Sequence, residues 1–295
     1  MKFNTPLRYP GGKGRLTDYF GRVIDLNGLK DGTYIEPFAG GAGTAINLLL
    51  DSKVSRIVIN DADLSVFYFW KSVIEQTDKF IDLLESVELT IKEWDRQREL
   101  QKSYDVLTRG FSTFYLNRTN RSGIIDGGMI GGRGQTGKYN IGARFNREEL
   151  IRRVREIGKR SNDIDVFGID AQHFLKTVVP YYDINSTLVY VDPPYYVKGS
   201  LLYMNFYNDQ DHWELAQTIK SLEHKWILSY DNVQQIKDLY SWTNHIEFSM
   251  NYSSYEFRKG RELFFSYSGL ILPEVDIIKP KKAGAKVTNE AGVPF

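Results

Sequence analysis

The sequence predicts an α/β protein with a Rossmann-like, doubly wound sheet. Short β-branched and aromatic runs alternate with helical patterns of apolar residues, which is typical of this class. A glycine-rich turn joins the first of these runs to a helix, and polar residues follow several of the runs at their carboxyl ends, where open α/β sheets bind ligands. A basic segment interrupts the alternation and predicts an inserted unit.

Composition excludes several classes of protein. The chain has 295 residues, 42% of them hydrophobic, which is enough for a sizeable core. It has no cysteine, so disulfides, thiolate metal sites and cysteine nucleophiles are excluded, and we expect no metal. The N-terminal sequence MKFNTPLRYPGGKG has no apolar signal segment, and no apolar run approaches the ~18 residues of a membrane span. We therefore expect a cytoplasmic protein without a membrane partner.

A glycine-rich loop at residues 6–16 precedes a helix predicted at about 15–25. It is not a phosphate-binding Walker loop, because Leu7 occupies the position of the first glycine and Gly14 that of the serine or threonine. The loop is either a flexible turn or a segment that lets Lys13 reach a carboxylate, and the sequence leaves both interpretations open.

The next segment predicts a nucleoside-binding strand, turn and helix. A strand at 33–36 precedes the turn 37–43 and a helix at 44–50, without the full dinucleotide fingerprint. A second strand ends at Asp61, about 20 residues beyond the turn, which is the spacing at which an acid binds ribose hydroxyls. Alternatively, Asp61 or Asp63 caps the following helix, and both roles coexist if Asp63 is the cap.

Helical patterns at 64–108 carry apolar stripes that we interpret as core. Residues 109–160 then hold 12 Lys and Arg against 4 Asp and Glu, a local net charge of +8 in a chain whose total is +1. Interleaved glycines, amides and aromatics predict a mobile basic loop or hairpin with Arg133 and Lys138 near its tip, followed by a helix at 147–160. Phosphate and base contacts explain this composition, and a solvated basic face with a linker is the alternative.

The second half of the chain continues the alternation. We expect Asp211 to cap a helix over 212–223 and a tail without regular structure after Pro273. The other predicted elements are strands at 164–170, 188–191, 225–230, 246–250 and 262–267, the last two antiparallel, and helices at 171–178 and 233–240.

The apolar run LVYV ends abruptly in Asp192-Pro193-Pro194-Tyr195. The prolines stop the strand because they cannot donate to a sheet ladder, so Asp192 lies just past its carboxyl end. A carboxylate, a proline carbonyl and an aromatic ring suit a planar base with an exocyclic amine: the oxygens accept the two N–H bonds and the ring stacks on the base. An ordinary strand exit is the alternative interpretation.

The order PGGKG, EPFAGGAG, acid-ended strand, basic insert and DPPY resembles the Dam-type (alpha-class) DNA adenine-N6 methyltransferases over about residues 6–270. The resemblance implies methyl transfer from S-adenosylmethionine to adenine N6 in duplex DNA after base flipping. It leaves open the recognition sequence, a cognate restriction endonuclease and the oligomeric state. Other amine substrates (cytosine N4, RNA adenine or a protein amide) and a non-catalytic DNA-binding module are the alternatives.

The resemblance also implies site residues. Tyr9 and Lys13 would lie against the methionine moiety, Asp61 would bind the ribose and Asp170 would lie near the cofactor adenine; relatives often have Trp at the position of Tyr9. The full cofactor set is Tyr9, Lys13, Glu36, Phe38, Gly40, Asp61, Asp170 and Asp192, and the catalytic set is Asp192, Pro193, Pro194 and Tyr195. The DNA-binding set is Asn117, Arg118, Asn120, Arg121, Arg133, Lys138, Asn140 and Arg144.

Three units follow from these expectations. A discontinuous catalytic domain comprises residues 1–70 and 161–272, a DNA target-recognition insert comprises 71–160, and a C-terminal tail comprises 273–295.

Overall fold

Strands and helices alternate through the part of the chain that the computed structural model describes, residues 4–9, 11–197, 207–251 and 259–274. The strands are β1 (Thr33–Glu36), β2 (Arg56–Asn60), β3 (Ile164–Phe167), β4 (Thr187–Val191), β5 (Lys225–Asp231), β6 (His245–Asn251) and β7 (Lys259–Ser266). They form one sheet in the order β3-β2-β1-β4-β5-β7-β6. The strands β3, β2, β1, β4 and β5 are parallel, and β7 lies antiparallel between β5 and β6.

The helices of the described residues supply the crossovers that parallel strands require. They are α1 (Thr17–Leu26), α2 (Gly43–Leu50), α3 (Leu64–Glu75), α4 (Thr77–Ser86), α5 (Ile91–Leu100), α6 (Val106–Thr119), α7 (Arg147–Gly158), α8 (Ala171–Thr177), α9 (Asp209–Lys220) and α10 (Gln234–Leu239). No helix of this part of the chain combines the length and the apolar composition that crossing a membrane requires.

Alternate residues of the central strands point to opposite faces of the sheet. Ile57 and Ile59 of β2 join one apolar cluster, with side chains of α1 to α7, whereas Val58 joins a second cluster with side chains of α8, α9 and α10. Because both faces are covered by helices, the predicted doubly wound α/β fold is confirmed.

The segment 71–160 packs on the first face of this sheet. Phe69 of α3 lies against Phe80 of α4 and Phe114 of α6, with ring centroids 5.9 and 6.1 Å apart. These rings belong to the same apolar cluster as Phe20 of α1. The helices of the predicted insert therefore share a core with the sheet, and the proposed domain boundaries stay a prediction.

Most predicted elements are confirmed, with two corrections. Residues 109–119, predicted as the start of a mobile basic loop, belong to α6. One helix start is also wrong. The helix predicted at 212–223 with Asp211 as its cap is α9, and its N-cap is Asn208. The Asn208 side chain accepts a hydrogen bond from the Asp211 N–H, while the Asp211 carboxylate accepts one from the Asn208 N–H. This reciprocal pair satisfies two helix-end donors at once, so Asp211 lies in the third helical position instead. The predicted tail from 275 onward lies outside the described residues.

The close packing of α6 on α3 predicts the effect of a small substitution. A Cβ at Gly110 would lie 2.4 Å from the backbone oxygen of Tyr68 and 2.3 Å from Oγ of Ser72. An alanine normally stabilises a helix interior by about 1 kcal/mol relative to glycine. We expect Gly110→Ala instead to lower the free energy of unfolding by about 1–3 kcal/mol, because the helices must separate. Urea denaturation measures this, and Gly128→Ala, with open space around its Cβ, is the control that should be close to neutral.

Candidate active site and nucleic-acid interface

The turn after β4 brings together a carboxylate and a buried ammonium group. Asp192 Oδ1 lies 3.1 Å from Nζ of Lys13, and Lys13 is only 7% exposed. The same Nζ donates to the hydroxyl of Tyr195 at 2.7 Å and lies 3.8 Å from Oε2 of Glu262. The interpretation that the N-terminal loop lets Lys13 reach a carboxylate is therefore confirmed. Charge compensation keeps a partly buried carboxylate from being an isolated charge in the interior.

Two residues at the carboxyl end of β5 hold the DPPY turn, and the sequence reasoning missed both. Ser229 donates from Oγ to Asp192 Oδ1 at 2.5 Å. Asp231 accepts the backbone N–H groups of Tyr196 and Val197, both at 3.0 Å. Since β5 pairs in parallel with β4, its last residues lie beside the turn that follows β4. A sequence signal was available for Asp231, because this acid lies at the end of β5 much as Asp192 lies at the end of β4.

The glycine turn after β1 packs against the N-terminal loop. Gly40 has φ +47°, and a Cβ there would lie 2.5 Å from the ring of Tyr9. The Gly40 N–H donates to Oδ2 of Asp61 at 2.8 Å, and Oδ1 of Asp61 accepts the N–H of Asp63 at 2.9 Å. Asp63 in turn caps α3 by accepting from the N–H of Ser65. Asp63 is thus the helix cap, and Asp61 faces the glycine turn.

One buried amide ties the loops after β1 and β3 together. Asn60 donates from Nδ2 to the carbonyls of Pro37 at 2.9 Å and Ile169 at 3.0 Å. Its Oδ1 accepts the N–H of Ile169 at 3.1 Å. Both N–H groups of this amide therefore donate to backbone carbonyls that lie outside the strands. This residue also lies outside the predicted site, although it directly precedes Asp61.

Burial raises the pKa of two acids of the predicted cofactor set. Glu36, at the end of β1, is buried, and it accepts a hydrogen bond from the N–H of Ala45 at 3.2 Å. Loss of solvation raises the pKa of Glu36 to about 8, and the charge of Asp192 acts in the same direction. Burial likewise raises the pKa of Asp61 to about 6, opposed by its two backbone hydrogen bonds. Each Asp61 oxygen keeps a further lone pair that a hydroxyl donor can use.

Two further members of the cofactor set, Phe38 and Asp170, lie near Tyr207. Phe38 contacts Tyr207 with ring centroids 5.9 Å apart. Asp170 is exposed and caps α8 by accepting the N–H of His173 at 2.9 Å. Burial raises the pKa of Tyr207, with a smaller contribution from the charge of Asp170, which lies close by. Pro193 and Pro194 follow Asp192 directly, and neither has a backbone N–H to donate. Among the described residues, no cluster of acids and histidines could hold a metal ion.

Two amides of the predicted DNA-binding set are buried and bound to the backbone. Asn117 accepts from the N–H of Arg8 at 2.7 Å and donates to the Arg8 carbonyl at 2.9 Å. Asn120 accepts from Nε1 of Trp94 at 2.7 Å and donates to the carbonyl of Ile125. These bonds attach the N-terminal loop to α6 and shape the hairpin-like turn in which Asn120 pairs with Met129. Base contact by these two amides stays a prediction.

Arginines gather beside that junction. Arg118 lies near the chain at Pro6, and its Nε is buried without a hydrogen-bond partner among the described residues. Burial, with smaller contributions from the charges of Arg8, Arg153 and Arg144, lowers the pKa of Arg118 to about 9. Burial and Arg144 also lower the pKa of Arg8. Mutual repulsion and an unsatisfied donor indicate a place where an anion would be stabilised.

The other basic residues divide into paired and solvent-facing groups. Arg133 forms a bidentate pair with Asp95, at 2.6 and 3.1 Å, and Arg152 pairs with Glu149 at 2.8 Å. Arg147 donates to the carbonyls of Leu84 in α4 and of Val87, the C-cap of that helix. The exposed members of the DNA-binding set, apart from Arg133, are Arg121, Lys138, Asn140 and Arg144.

The comparisons with known proteins decide the class of the enzyme. Residues 9–253 match the family described as D12 class N6 adenine-specific DNA methyltransferase, which is well over half of the chain. The chain belongs to this family. It is an adenine-specific DNA methyltransferase, and its substrate is DNA. Among the substrates that the sequence left open, the family assignment selects adenine N6 in DNA.

Two relatives support the assignment. The chain is 23% identical over 250 residues to the type II methyltransferase M.MjaIII of Methanocaldococcus jannaschii, covering 76% of this chain and 82% of the relative. It is 24% identical over 249 residues to the type II methyltransferase M.CviBI of Paramecium bursaria Chlorella virus NC1A, covering 83% of this chain and 90% of the relative. An rRNA methyltransferase of Streptomyces viridochromogenes, AviRa, is a structural neighbour with a TM-score of 0.36 and 11% identity, covering 88% and 86%.

The raised pKa of Glu36 predicts a pH dependence of stability. The folded carboxyl keeps its proton up to about pH 8, whereas the unfolded carboxyl loses it near the ordinary value of 4.5. The folded state thus binds more protons between these values, so this group lowers the free energy of unfolding as pH rises from 4.5 to 8. We expect Glu36→Gln to be more stable than the wild type at pH 8, with a difference that shrinks toward pH 5. Urea denaturation at pH 5, 6.5 and 8 measures this, and a difference independent of pH would contradict it.

Proposed function

We propose that S-adenosylmethionine is the methyl donor and that it binds across the turns after β1, β2 and β4. The side chains around these turns can bind this cofactor. Asp61 offers carboxylate lone pairs for a ribose diol, the Gly40 turn lets a ligand approach the backbone, and Lys13 and Tyr9 close the site from the N-terminal loop. When bound, the cofactor supplies a sulfonium methyl that is already activated, so the protein contributes mainly binding and orientation.

Each turn would hold one part of the cofactor. We assign the ribose hydroxyls to Asp61 and the methionine moiety to Tyr9 and Lys13. The adenine ring would lie near Phe38 and Asp170, where Tyr207 completes an aromatic edge. Glu36, buried at the end of β1, holds the start of α2 by accepting a hydrogen bond from the N–H of Ala45.

The target amine would be held by Asp192 and the Pro193 carbonyl. The lone pair of the adenine amino group is delocalised into the ring, which makes the nitrogen a poor nucleophile. Two acceptors that take its two N–H bonds favour a pyramidal nitrogen with a localised lone pair. Once methylated, the nitrogen carries an extra proton, and Asp192 is the nearest acceptor for it. The nearby Lys13 compensates the carboxylate charge throughout.

The adenine must leave the duplex to reach this turn. Extrusion of a base costs a few kcal/mol, and stacking on a flat side chain offsets part of that cost. Tyr195 is the proposed stacking partner; Lys13 lies over its ring at 4.8 Å from the centroid and fixes its hydroxyl. Lys13 holds the hydroxyl of this ring and Asp231 holds the backbone that follows it, and this pre-ordering lowers the entropy lost on binding the base.

DNA phosphates would be bound by the arginines beside the N-terminal loop. Arg118 has a buried, unsatisfied donor and repelling neighbours, and a phosphate oxygen would relieve both. Arg8 and Arg144 would share the same anion, while Arg121 and Lys138 face solvent near the hairpin. Asn117 and Asn120 would set the shape of this surface from within. Because the relatives are type II methyltransferases, we also propose that a restriction endonuclease recognises the same DNA sequence.

The observation that carries the catalytic proposal is the Asp192–Lys13 pair at the end of β4. Tritiated S-adenosylmethionine and duplex DNA should give labelled N6-methyladenine after nuclease digestion. We expect Asp192→Ala to lower kcat at least about 100-fold, because an acceptor for the amine is lost. Asp192→Asn keeps the shape of the side chain and should be impaired as well. Both variants should still bind DNA in gel shifts, and full methylation by either would contradict the role of Asp192.

The arginine cluster predicts the salt dependence of DNA binding. We expect Arg118→Met, which keeps the apolar stem, to weaken binding and to reduce the slope of log K against log salt by about 1. The control is Arg152→Met in the same basic segment, since Glu149 already neutralises Arg152. Fluorescence anisotropy between 50 and 300 mM salt gives both slopes. Equal losses of DNA affinity in the two variants would contradict a specific role of Arg118, because net charge alone would then explain both.

A further inference from the structure

A buried hydroxyl pair lies directly behind the catalytic carboxylate. Ser229 of β5 is fully buried, and its Oγ lies 2.5 Å from Oδ1 of Asp192. On its other side the same Oγ lies 2.9 Å from the hydroxyl of Tyr190, which is also buried. The strand register explains this row of hydrogen bonds from Tyr190 through Ser229 to Asp192. Tyr190 of β4 pairs with Ile227 of β5. Ser229 lies two residues beyond Ile227 and Asp192 two beyond Tyr190, so the three hydrogen-bonded residues share one face of the sheet.

The chemistry of the three groups fixes the direction of these bonds. An ionised carboxylate can only accept, so the single hydrogen of the Ser229 hydroxyl points to Asp192. Ser229 Oγ must then accept from Tyr190, which makes Tyr190 the donor. Burial, the charge of Asp192 and the Glu262 charge hold the pKa of Tyr190 well above its ordinary value, so this donor keeps its proton at any working pH.

This row of hydrogen bonds gives the two oxygens of Asp192 different partners. Oδ1 accepts from Ser229 and faces Lys13, whereas Oδ2 accepts no hydrogen bond from the described residues. A carboxylate rotates easily about its last side-chain bond unless one oxygen is held. Fixing Oδ1 from behind therefore presents Oδ2 to the turn where the target amine would bind.

We propose that Ser229 is a positioning residue for methyl transfer and that Tyr190 orients Ser229. Their hydroxyls hold Asp192 in the rotation that accepts the amine hydrogen, and they touch neither substrate nor cofactor. This proposal rests on the catalytic role of Asp192 given above. A purely structural role would affect stability and leave the chemical step unchanged, which makes the two alternatives separable.

The experiment compares Ser229→Ala, Tyr190→Phe and the double variant with the wild type. We expect Ser229→Ala to lower kcat about 10- to 100-fold, because a hydrogen bond to a charged group is lost, with KM for S-adenosylmethionine and the DNA Kd within about twofold. Tyr190→Phe should lower kcat about 2- to 5-fold, yet it should have no further effect when Ser229 is already alanine. Single-turnover rates on a duplex that the wild type methylates isolate the chemical step.

The control is Ser72→Ala. Ser72 is equally buried, but its hydroxyl donates to the carbonyl of Phe69 in α3, far along the chain from this turn. It should lose stability without loss of kcat. Thermal unfolding and binding of S-adenosylhomocysteine confirm that each variant is folded, and Tyr190→Phe, which lacks a single oxygen, carries the test if Ser229→Ala does not fold.

Three results separate the proposals. A wild-type enzyme that methylates adenine, with a Ser229→Ala kcat no lower than that of Ser72→Ala, overturns the positioning role alone. A loss of kcat in Tyr190→Phe that multiplies with the loss in Ser229→Ala overturns the role given to Tyr190, since Tyr190 would then act independently of Ser229. Full methylation by Asp192→Ala contradicts the catalytic role of Asp192, and the positioning role falls with it.

Discussion

The partly buried ion pair between Lys13 and Asp192 connects parts of the chain that are far apart in sequence. Removing an ammonium and a carboxylate from water is expensive, and their attraction compensates only if further hydrogen bonds hold both groups. Those bonds come from Tyr195 and Ser229, and Glu262 adds a second negative charge near the ammonium. The N-terminal loop must therefore lie across the ends of β4, β5 and β7. Once it does, Tyr9 packs on the glycine turn and closes the site.

Single polar side chains keep the surrounding loops in place. Loops have backbone groups without strand or helix partners, and such groups must be satisfied if they are buried. Asn60 forms hydrogen bonds with the backbone of the loops after β1 and β3. Asp231 does the same for the turn after β4, and Asn117 for the N-terminal loop. Each of these side chains lies at or near the end of a regular element. The site is thus formed by irregular segments that are anchored on rigid strands and helices.

The positive charge of the segment 109–160 has more than one use. Arg147 caps the carboxyl end of α4, and Arg152 and Arg153 pair with Glu149, so these cations stabilise the protein itself. Arg118 differs, because its neighbours are other arginines and its Nε has no partner among the described residues. Local net charge alone cannot make this distinction, which depends on where each guanidinium lies.

The sequence by itself determined the fold class, the order of most elements and the residues at the strand ends. Those features depend on local rules: side-chain alternation, proline and glycine positions, and the spacing of an acid beyond a glycine turn. The capping of α9 by Asn208 and the buried roles of Asn117 and Asn120 escaped it, because neighbouring polar residues compete for the same role and only packing selects one. Ser229 and Asp231 escaped it as well. They reach the DPPY turn through the pairing of β4 with β5, and contacts between segments 34 to 37 residues apart in the chain follow from the tertiary structure.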